Sequence, residues 1–120
     1  MILDALYTTL SQIISAYPLI GDIEAECPFC AFKVTPEVLR DKGGIIGYNH
    51  VVEIAIVDRE ITNINTYTES ITAAVSGMSG TINDTIFEGV LLTDESGIYY
   101  NDADQVYEND LEFLISTLNR

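Results

Sequence analysis

The strongest constraint on the fold comes from residues 48–58, where side chains suited to a core alternate with side chains suited to a surface. Val52, Ile54 and Ile56 fall on one face of an extended segment, while Glu53 and Ala55 fall on the opposite face. One glutamate among β-branched residues is typical of a strand that is buried on one face and partly exposed on the other. We therefore expect a β-sheet built around this segment.

Two segments have the three- and four-residue apolar spacing of amphipathic helices. The first covers residues 3–17 and is expected to end at Pro18, because proline cannot continue a helix. The second covers residues 63–77, with Asn63 as its N-cap and Gly77 as its C-terminal stop. Each helix has one apolar stripe, which predicts that it packs on one side against the sheet.

Three further strands complete the predicted domain, and they lie at residues 27–34, 85–93 and 106–117. Residues 35–44 are predicted to form a polar connection, and residues 94–105 an acidic loop. The order is then α-β-β-α-β-β. Short connections favour antiparallel pairing, so we expect an α+β fold with a four-stranded, mainly antiparallel sheet and two helices on one face. The length is that of a single domain, residues 1–120.

The charge balance limits the partners that the chain can bind. Nineteen acidic side chains stand against five Lys or Arg, for a formal net charge of -14. Such a surface repels phosphate, which disfavours specific DNA binding and attachment to an anionic membrane. No apolar stretch approaches the ~20 residues of a membrane helix, and the first residues do not resemble a secretory signal. We therefore expect synthesis in the cytoplasm and no membrane partner.

Cys27 and Cys30 have the Cys-x-x-Cys spacing of redox pairs and of half a zinc site. The motif leads into apolar, strand-like residues, and the chain has no second cysteine pair. Packing as small hydrophobic side chains is therefore favoured over redox or metal chemistry. The single histidine, His50, is interpreted as a partly exposed residue at a strand end, without a catalytic partner.

The carboxylates of residues 94–105 lack the ligand spacing of an EF-hand, so a solvated acidic loop is favoured over a calcium site. The glycines after Lys42 lack the residues of a phosphate-binding loop. The sequence therefore predicts no catalytic residue, no metal and no cofactor. We expect a protein that works by assembly and not by catalysis.

The tyrosines of the acidic loop are the strongest candidates for a binding role. The candidate interface consists of Tyr99, Tyr100, Asp102, Asp104 and Tyr107. Loops frequently carry function, and tyrosine is enriched at protein interfaces. The alternative, in which one tyrosine of the adjacent pair folds back as a lid on the core, stays open.

The order of these segments resembles the tail-completion and tail-terminator proteins of tailed bacteriophages. The resemblance begins with a first helix carrying Leu3, Leu6, Tyr7 and Leu10, and continues with a proline-containing strand over residues 27–34. It then follows the strand at residues 51–56, the helix at residues 67–75 and the strand at residues 86–92. It closes with the tyrosine pair and residues 106–113. The similarity covers nearly the whole chain.

The resemblance implies a structural virion protein of the phage neck, which assembles into a ring around the DNA channel. Its partners would be further copies of itself and neighbouring neck, portal or tail proteins. DNA would pass through the ring without being specifically bound, which suits a strongly acidic surface. The alternative from the residues themselves is a small acidic adaptor domain that binds a basic protein partner.

Overall fold

The computed structural model describes residues 2–18, 27–41, 44–83 and 85–118, and for residues 38–41 and 44–47 it describes the backbone alone. The described residues form two α-helices and seven strands. In chain order the elements are α1 (Ile2–Ser11), β1 (Ser15–Pro18), β2 (Phe29–Asp41), β3 (Gly44–Asp58), α2 (Ile61–Ser76), β4 (Gly80–Ile82), β5 (Thr85–Glu95), β6 (Tyr99–Asn101) and β7 (Val106–Thr117).

All seven strands belong to one curled, mixed sheet with the order β1-β2-β3-β7-β5-β4, and β6 pairs with β7. The predicted four-stranded sheet with two helices on one face is therefore wrong. β1 runs parallel to β2, and the other pairs are antiparallel. The three strands that the sequence did not predict are β1, β4 and β6. They have only three or four residues each, too few to show an alternating pattern.

The first helix is shorter than predicted. The N–H groups of Ile13 and Ile14 both donate to the carbonyl of Leu10, at 3.0 and 3.1 Å, and the chain then leaves the helix for β1. Ile14 and Ala16 are buried in the same core as the helix, and Ile13 and Ile14 follow Leu10 at the spacing of a helical stripe, so the sequence predicts a longer helix. The sequence also predicts an acidic turn from Asp22 to Glu26, which lies outside the described residues.

The second helix is confirmed, and Gly77 caps its end by donating its N–H to the carbonyl of Ala73. Asn63 is not the N-cap, because the helix begins two residues earlier. The Asn63 amide instead donates to Asp58 Oδ2 at 3.0 Å, which ties the first turn of α2 to the end of β3.

The predicted polar connection over residues 35–44 is also wrong. β2 continues through Pro36 to Asp41 and pairs with β3 along its whole length. Pro36 is tolerated because β1 pairs with β2 only as far as Phe32, so Pro36 lies on an edge of the sheet. The strands predicted at residues 48–58, 85–93 and 106–117 are confirmed as parts of β3, β5 and β7.

The core lies between the inward face of the sheet and the two helices. Val52 of β3 lies opposite Phe113 of β7, and Ile54 lies opposite Leu111. Leu6 and Leu10 of α1 join this core, as do Ile64, Ile71 and Val75 of α2. The alternation predicted for β3 is confirmed, since Val52, Ile54 and Ile56 are all buried.

Two polar pairs are buried within this apolar core. His50 Nε2 lies 2.9 Å from Thr117 Oγ1, and Asn109 Nδ2 donates to Thr68 Oγ1 at 3.0 Å. Each pair joins residues distant in sequence, so it fixes β7 against β3 or against α2. A buried polar group that keeps a partner avoids most of its desolvation penalty.

No helix in the described ranges combines the length and the apolar character that crossing a membrane requires.

Replacing Phe113 by alanine tests whether the β3–β7 pair forms the centre of the core. Phe113 is fully buried, so we expect the free energy of unfolding to fall by about 3 to 5 kcal/mol in urea titrations. Leu91→Ala is the matched control on β5, where the side chain is 61% exposed, and its effect should stay within about 0.5 kcal/mol. Equal effects of the two substitutions would contradict the observed core.

Candidate protein interface

The predicted interface tyrosines lie on a short hairpin. β6 pairs with the first residues of β7, so that Tyr100 faces Tyr107 in the ladder and Tyr99 faces Glu108. The rings of Tyr100 and Tyr107 meet edge to face with their centroids 5.1 Å apart. Tyr99 and Tyr100 are 41% and 49% exposed, so neither is a lid over the core. Their exposed ring area is available to a partner.

Asp102 and Asp104 lie in the turn of this hairpin and are exposed. The turn is held by Asn101, whose Oδ1 accepts the backbone N–H groups of Ala103 and Asp104 at 3.1 and 3.3 Å. Asparagine often closes a turn in this way. The fold thus brings the five predicted interface residues onto one hairpin, and their role in binding stays a prediction.

Tyr99 links the hairpin to the outer face of the sheet. Its hydroxyl lies 2.5 Å from Glu108 Oε2 and 2.8 Å from Asp110 Oδ2. One hydroxyl proton cannot satisfy both oxygens at once, so the two carboxylates compete for it. Partial burial, these hydrogen bonds and the neighbouring negative charges all raise the pKa of the Tyr99 phenol.

Glu108 is the carboxyl group most altered by this arrangement. Burial raises its pKa to about 7, and the adjacent carboxylate of Asp110 adds to the increase. The negative charge of Asp104 acts in the same direction, whereas the hydrogen bond from Tyr99 opposes it. Glu108 is therefore partly protonated near neutral pH and can share a proton with its neighbours.

Strand pairing places further acidic residues side by side on the outer face. Glu53 of β3 lies directly opposite Glu112 of β7, which in turn lies opposite Asp94 of β5. Like charges at directly opposite positions destabilise a sheet. Lys33 of β2 lies opposite Glu53 and adds one positive charge to this row. Thr93 Oγ1 also donates to Glu112 Oε2 at 2.8 Å.

The next row of the same face contains smaller side chains, which open a cleft. Ala31, Ala55 and Asp110 are neighbours across β2, β3 and β7. The cleft has a volume of about 430 Å³. Its lining residues are Glu53, Ile54, Ala55, Asp94, Ser96, Asp110, Leu111 and Glu112. Four carboxylates and no basic side chain line it, so it favours a cationic or hydrogen-bond-donating group.

The sequence does not predict this cleft. The sequence shows alternating acidic residues at 106–117 and one glutamate at 48–58. Only the register of β3 and β7 shows that these residues lie in one row. Among the described residues, no group of three or more His, Cys, Asp or Glu side chains is placed to hold a metal ion.

The interpretation of His50 as partly exposed is wrong. The side chain is 1% exposed and lies in the middle of β3, where burial lowers its pKa. Its partner is Thr117, a residue of the core. His50 thus acts in packing within the described structure.

Cys27 and Cys30 are free thiols, with Cys30 in β2 and Cys27 two residues before that strand begins. Cys30 is fully buried in the core, and burial raises its pKa to about 12. Burial and the charge of Asp58 also raise the pKa of Cys27. A thiol with a raised pKa is a poor nucleophile at neutral pH. These environments favour packing over redox chemistry for the pair.

The pH dependence of stability tests the Glu108 cluster. A carboxyl group whose folded pKa is raised from its ordinary value of 4.5 to about 7 favours the folded state when protonated. Its contribution is therefore present below pH 4.5 and lost as the pH rises through about 7. Glu108→Gln should remove this loss. We therefore expect the substitution to raise the free energy of unfolding more at pH 8 than at pH 5, by about 1 to 2 kcal/mol after allowance for solvent screening.

The measurement is a series of urea titrations between pH 4 and pH 9. Glu88→Gln, which removes the same charge from an exposed position on β5, serves as the control and should follow the original curve. If the stability of the original protein and that of Glu108→Gln changed equally with pH, the raised pKa of Glu108 would be contradicted.

Thiol titration at pH 8 tests the two cysteines. We expect Cys27 to react slowly with a disulfide reagent in the native protein, and Cys30 to react only after unfolding, because its side chain is buried. A Cys27→Ser variant should show no reactive thiol until denaturant is added. Rapid reaction of both thiols would restore the redox interpretation.

Comparison with solved structures supplies a fold relative. A chain from the virion of a native gene transfer agent particle superimposes with a TM-score of 0.74 at 13% sequence identity. The match covers 95% of this chain and 92% of that chain. No protein-family model matches the sequence, and a comparison with curated proteins finds no match. The chain therefore shares its complete fold with a chain of a gene transfer agent virion.

Proposed function

We propose that the chain is a structural virion protein of the phage neck that assembles into a ring around the DNA channel. Within the neck it would act as a tail-completion or tail-terminator protein, or as a subunit of a head-tail collar. Its partners are further copies of itself and neighbouring neck, portal or tail proteins. It is made in the host cytoplasm and then becomes part of the virion, and it catalyses no reaction.

The observation that carries this proposal is the fold shared with the gene transfer agent virion chain over nearly the full length of both chains. The chain has 120 residues and no large insertion relative to that virion chain. The same fold is therefore available for contacts with neighbouring subunits. The sequence resemblance to tail-completion and tail-terminator proteins points in the same direction, by an independent route.

The electrostatics of the chain support a role beside DNA without binding to it. The formal net charge is -14, and four carboxylates line the cleft of the outer sheet face. A wall of this kind repels the phosphate backbone, so that a duplex can slide past without being held.

Exposed aromatic side chains support assembly with other protein chains. Tyr100 presents half of its surface to solvent at the tip of the sheet, beside the exposed Tyr99. Tyrosine combines a large apolar ring with a hydroxyl that can form hydrogen bonds, which makes it a common anchor of protein interfaces. We therefore propose Tyr99, Tyr100, Asp102, Asp104 and Tyr107 as part of a contact surface.

Light scattering over a range of protein and salt concentrations tests the ring. We expect a closed oligomer whose mass is a fixed multiple of the 13.2 kDa chain. Tyr100→Ser should weaken the association by about tenfold or more, as expected for an aromatic anchor. Tyr7→Ser is the matched control, because Tyr7 on α1 is also 49% exposed and lies away from the hairpin.

A chain that stays monomeric at every concentration and salt would contradict the self-assembling ring. Equal weakening by the two tyrosine variants would contradict the hairpin as its contact surface.

The acidic cleft favours a second candidate, a small adaptor domain that binds a basic protein partner. Such binding would place a Lys or Arg side chain among Glu53, Asp94, Asp110 and Glu112. It would weaken steeply as salt is added, because the attraction is between exposed charges. A monomer that binds a lysine-rich peptide in this way would favour the adaptor over the ring.

A further inference from the structure

A row of apolar side chains crosses the outer face of the sheet. Val51 of β3 lies opposite Leu114 of β7, which in turn lies opposite Leu91 of β5. Val51 and Leu114 are partly exposed, and Leu91 is 61% exposed, the most exposed of the large apolar side chains in the described structure. These three residues are called the apolar row below. Exposed apolar side chains that lie side by side commonly mark a contact with another molecule.

Neither of the two described helices covers the apolar row. Both helices pack with the inward side chains of β3 and β7. Side chains alternate along a strand, so Val51 and Leu114 point away from the helices. Polar residues border the row on one side, where Ser116 Oγ donates to Asn49 Oδ1 at 2.8 Å. The apolar row is therefore an uncovered strip on an otherwise polar face.

Acidic residues border the apolar row on its other side. Glu53, Glu112 and Asp94 are neighbours across the same three strands, and they are called the acidic row below. On β3 and β7 the two rows are two residues apart, a distance of ~6.7 Å along a strand. The acidic row also lines the cleft of about 430 Å³, which leaves room for the end of a long side chain. The face thus combines an apolar strip with a parallel line of negative charge.

A second copy of the chain does not fit this face. Two outer faces placed against each other would bring two acidic rows together, and each copy has a formal net charge of -14. Repulsion between like charges opposes such a contact. The same charges disfavour nucleic acid and anionic lipid. Charge complementarity therefore favours a different protein, one that carries basic residues.

The spacing of the apolar row matches the side chains of an α-helix. Its three residues lie on adjacent strands, which are ~4.8 Å apart. Side chains three or four residues apart on a helix are separated by ~4.5 to 6 Å along its axis, because the rise is ~1.5 Å per residue. Side chains on one face of an extended chain are ~6.7 Å apart, which is a poorer match. A helix that crosses the three strands can therefore place side chains i, i+3 and i+7 above the row.

We propose that the outer face binds an amphipathic, basic α-helix of another protein, which crosses β3, β7 and β5. The apolar stripe of this helix covers the apolar row, and lysine or arginine along one border of the stripe faces the acidic row. This inference rests on the adaptor candidate of the proposed function, since it gives the form of the basic partner. It does not depend on the ring, because the tyrosine hairpin pairs with the beginning of β7 and the apolar row crosses β7 at Leu114.

Binding of two designed peptides tests this inference. The first, the patterned peptide, has about 18 residues of alanine, leucine and lysine, with leucines at helical spacing and lysines along one border of the leucine stripe. The second peptide has the same composition in an order that leaves no apolar stripe. With a fluorescent label on each, anisotropy at physiological salt should show the patterned peptide binding at least about tenfold more tightly. Circular dichroism should show that it gains helix on binding.

Substitutions on the two rows locate the binding site. Leu91→Ser should weaken binding of the patterned peptide by about tenfold, because it removes the most exposed apolar contact. Ile61→Ser is the matched control, since Ile61 is 48% exposed and lies on α2. Glu53→Gln should weaken binding by about threefold at low salt and by less at high salt. Glu69→Gln, at an exposed position on α2, should have no effect on binding.

Urea titrations of all four variants should show the same cooperative unfolding as the original protein, which excludes misfolding as the cause of weak binding. Equal affinities for the two peptides would overturn the amphipathic helix and leave a basic partner that is bound by charge alone. Unchanged affinity in Leu91→Ser would overturn the apolar row as the contact. If neither peptide bound at low salt, both this inference and the adaptor candidate would be overturned, and the ring would be unaffected.

Discussion

The pairing of β3 with β7 is the interaction on which the rest of the structure depends. The two strands pair in register from Tyr48 to Asp58, and this register places Val52 opposite Phe113 in the core. The same register decides the opposite face, because side chains alternate along both strands. Shifting it by one residue would exchange the buried and exposed sets, so the core and the acidic outer face are determined together.

The acidic outer face lowers stability, and the fold tolerates that cost. Glu53, Glu112 and Asp94 are direct neighbours across three strands, although like charges in such positions repel each other. The proposed position beside DNA would account for these charges, because a surface rich in carboxylates repels phosphate.

The sequence predicted the long elements well and the short ones poorly. β3, β5, β7 and α2 have enough residues for their apolar periodicity to be visible, and all four were predicted. The sequence predicts the end of a helix where β1 lies, because apolar residues on either side of the helix end reach the same core. It predicts a loop in the outer half of β2, since Pro36 and the glycines after Lys42 are typical of turns. Its strand structure comes from backbone pairing with β3, which composition does not record.

The candidate interface likewise combines residues that the sequence predicts with features that it does not predict. Tyr99, Tyr100 and Tyr107 were recognised from residue type and position, and their placement on one hairpin follows from a three-residue strand that was not predicted. The cleft was missed because its acidic residues come from three strands far apart in sequence.

The buried His50 and the partly buried Glu108 give the fold two opposing responses to acid. Burial lowers the pKa of His50, so acidification below its ordinary value of 6.5 favours the unfolded chain, which takes up the proton more readily. Glu108 has a raised pKa, so over the same range it takes up its proton more readily in the folded chain. The two proton uptakes have opposite effects on stability and partly cancel. Mild acidification therefore acts on stability in opposite directions at these two sites, one in the core and one on the outer face of the sheet.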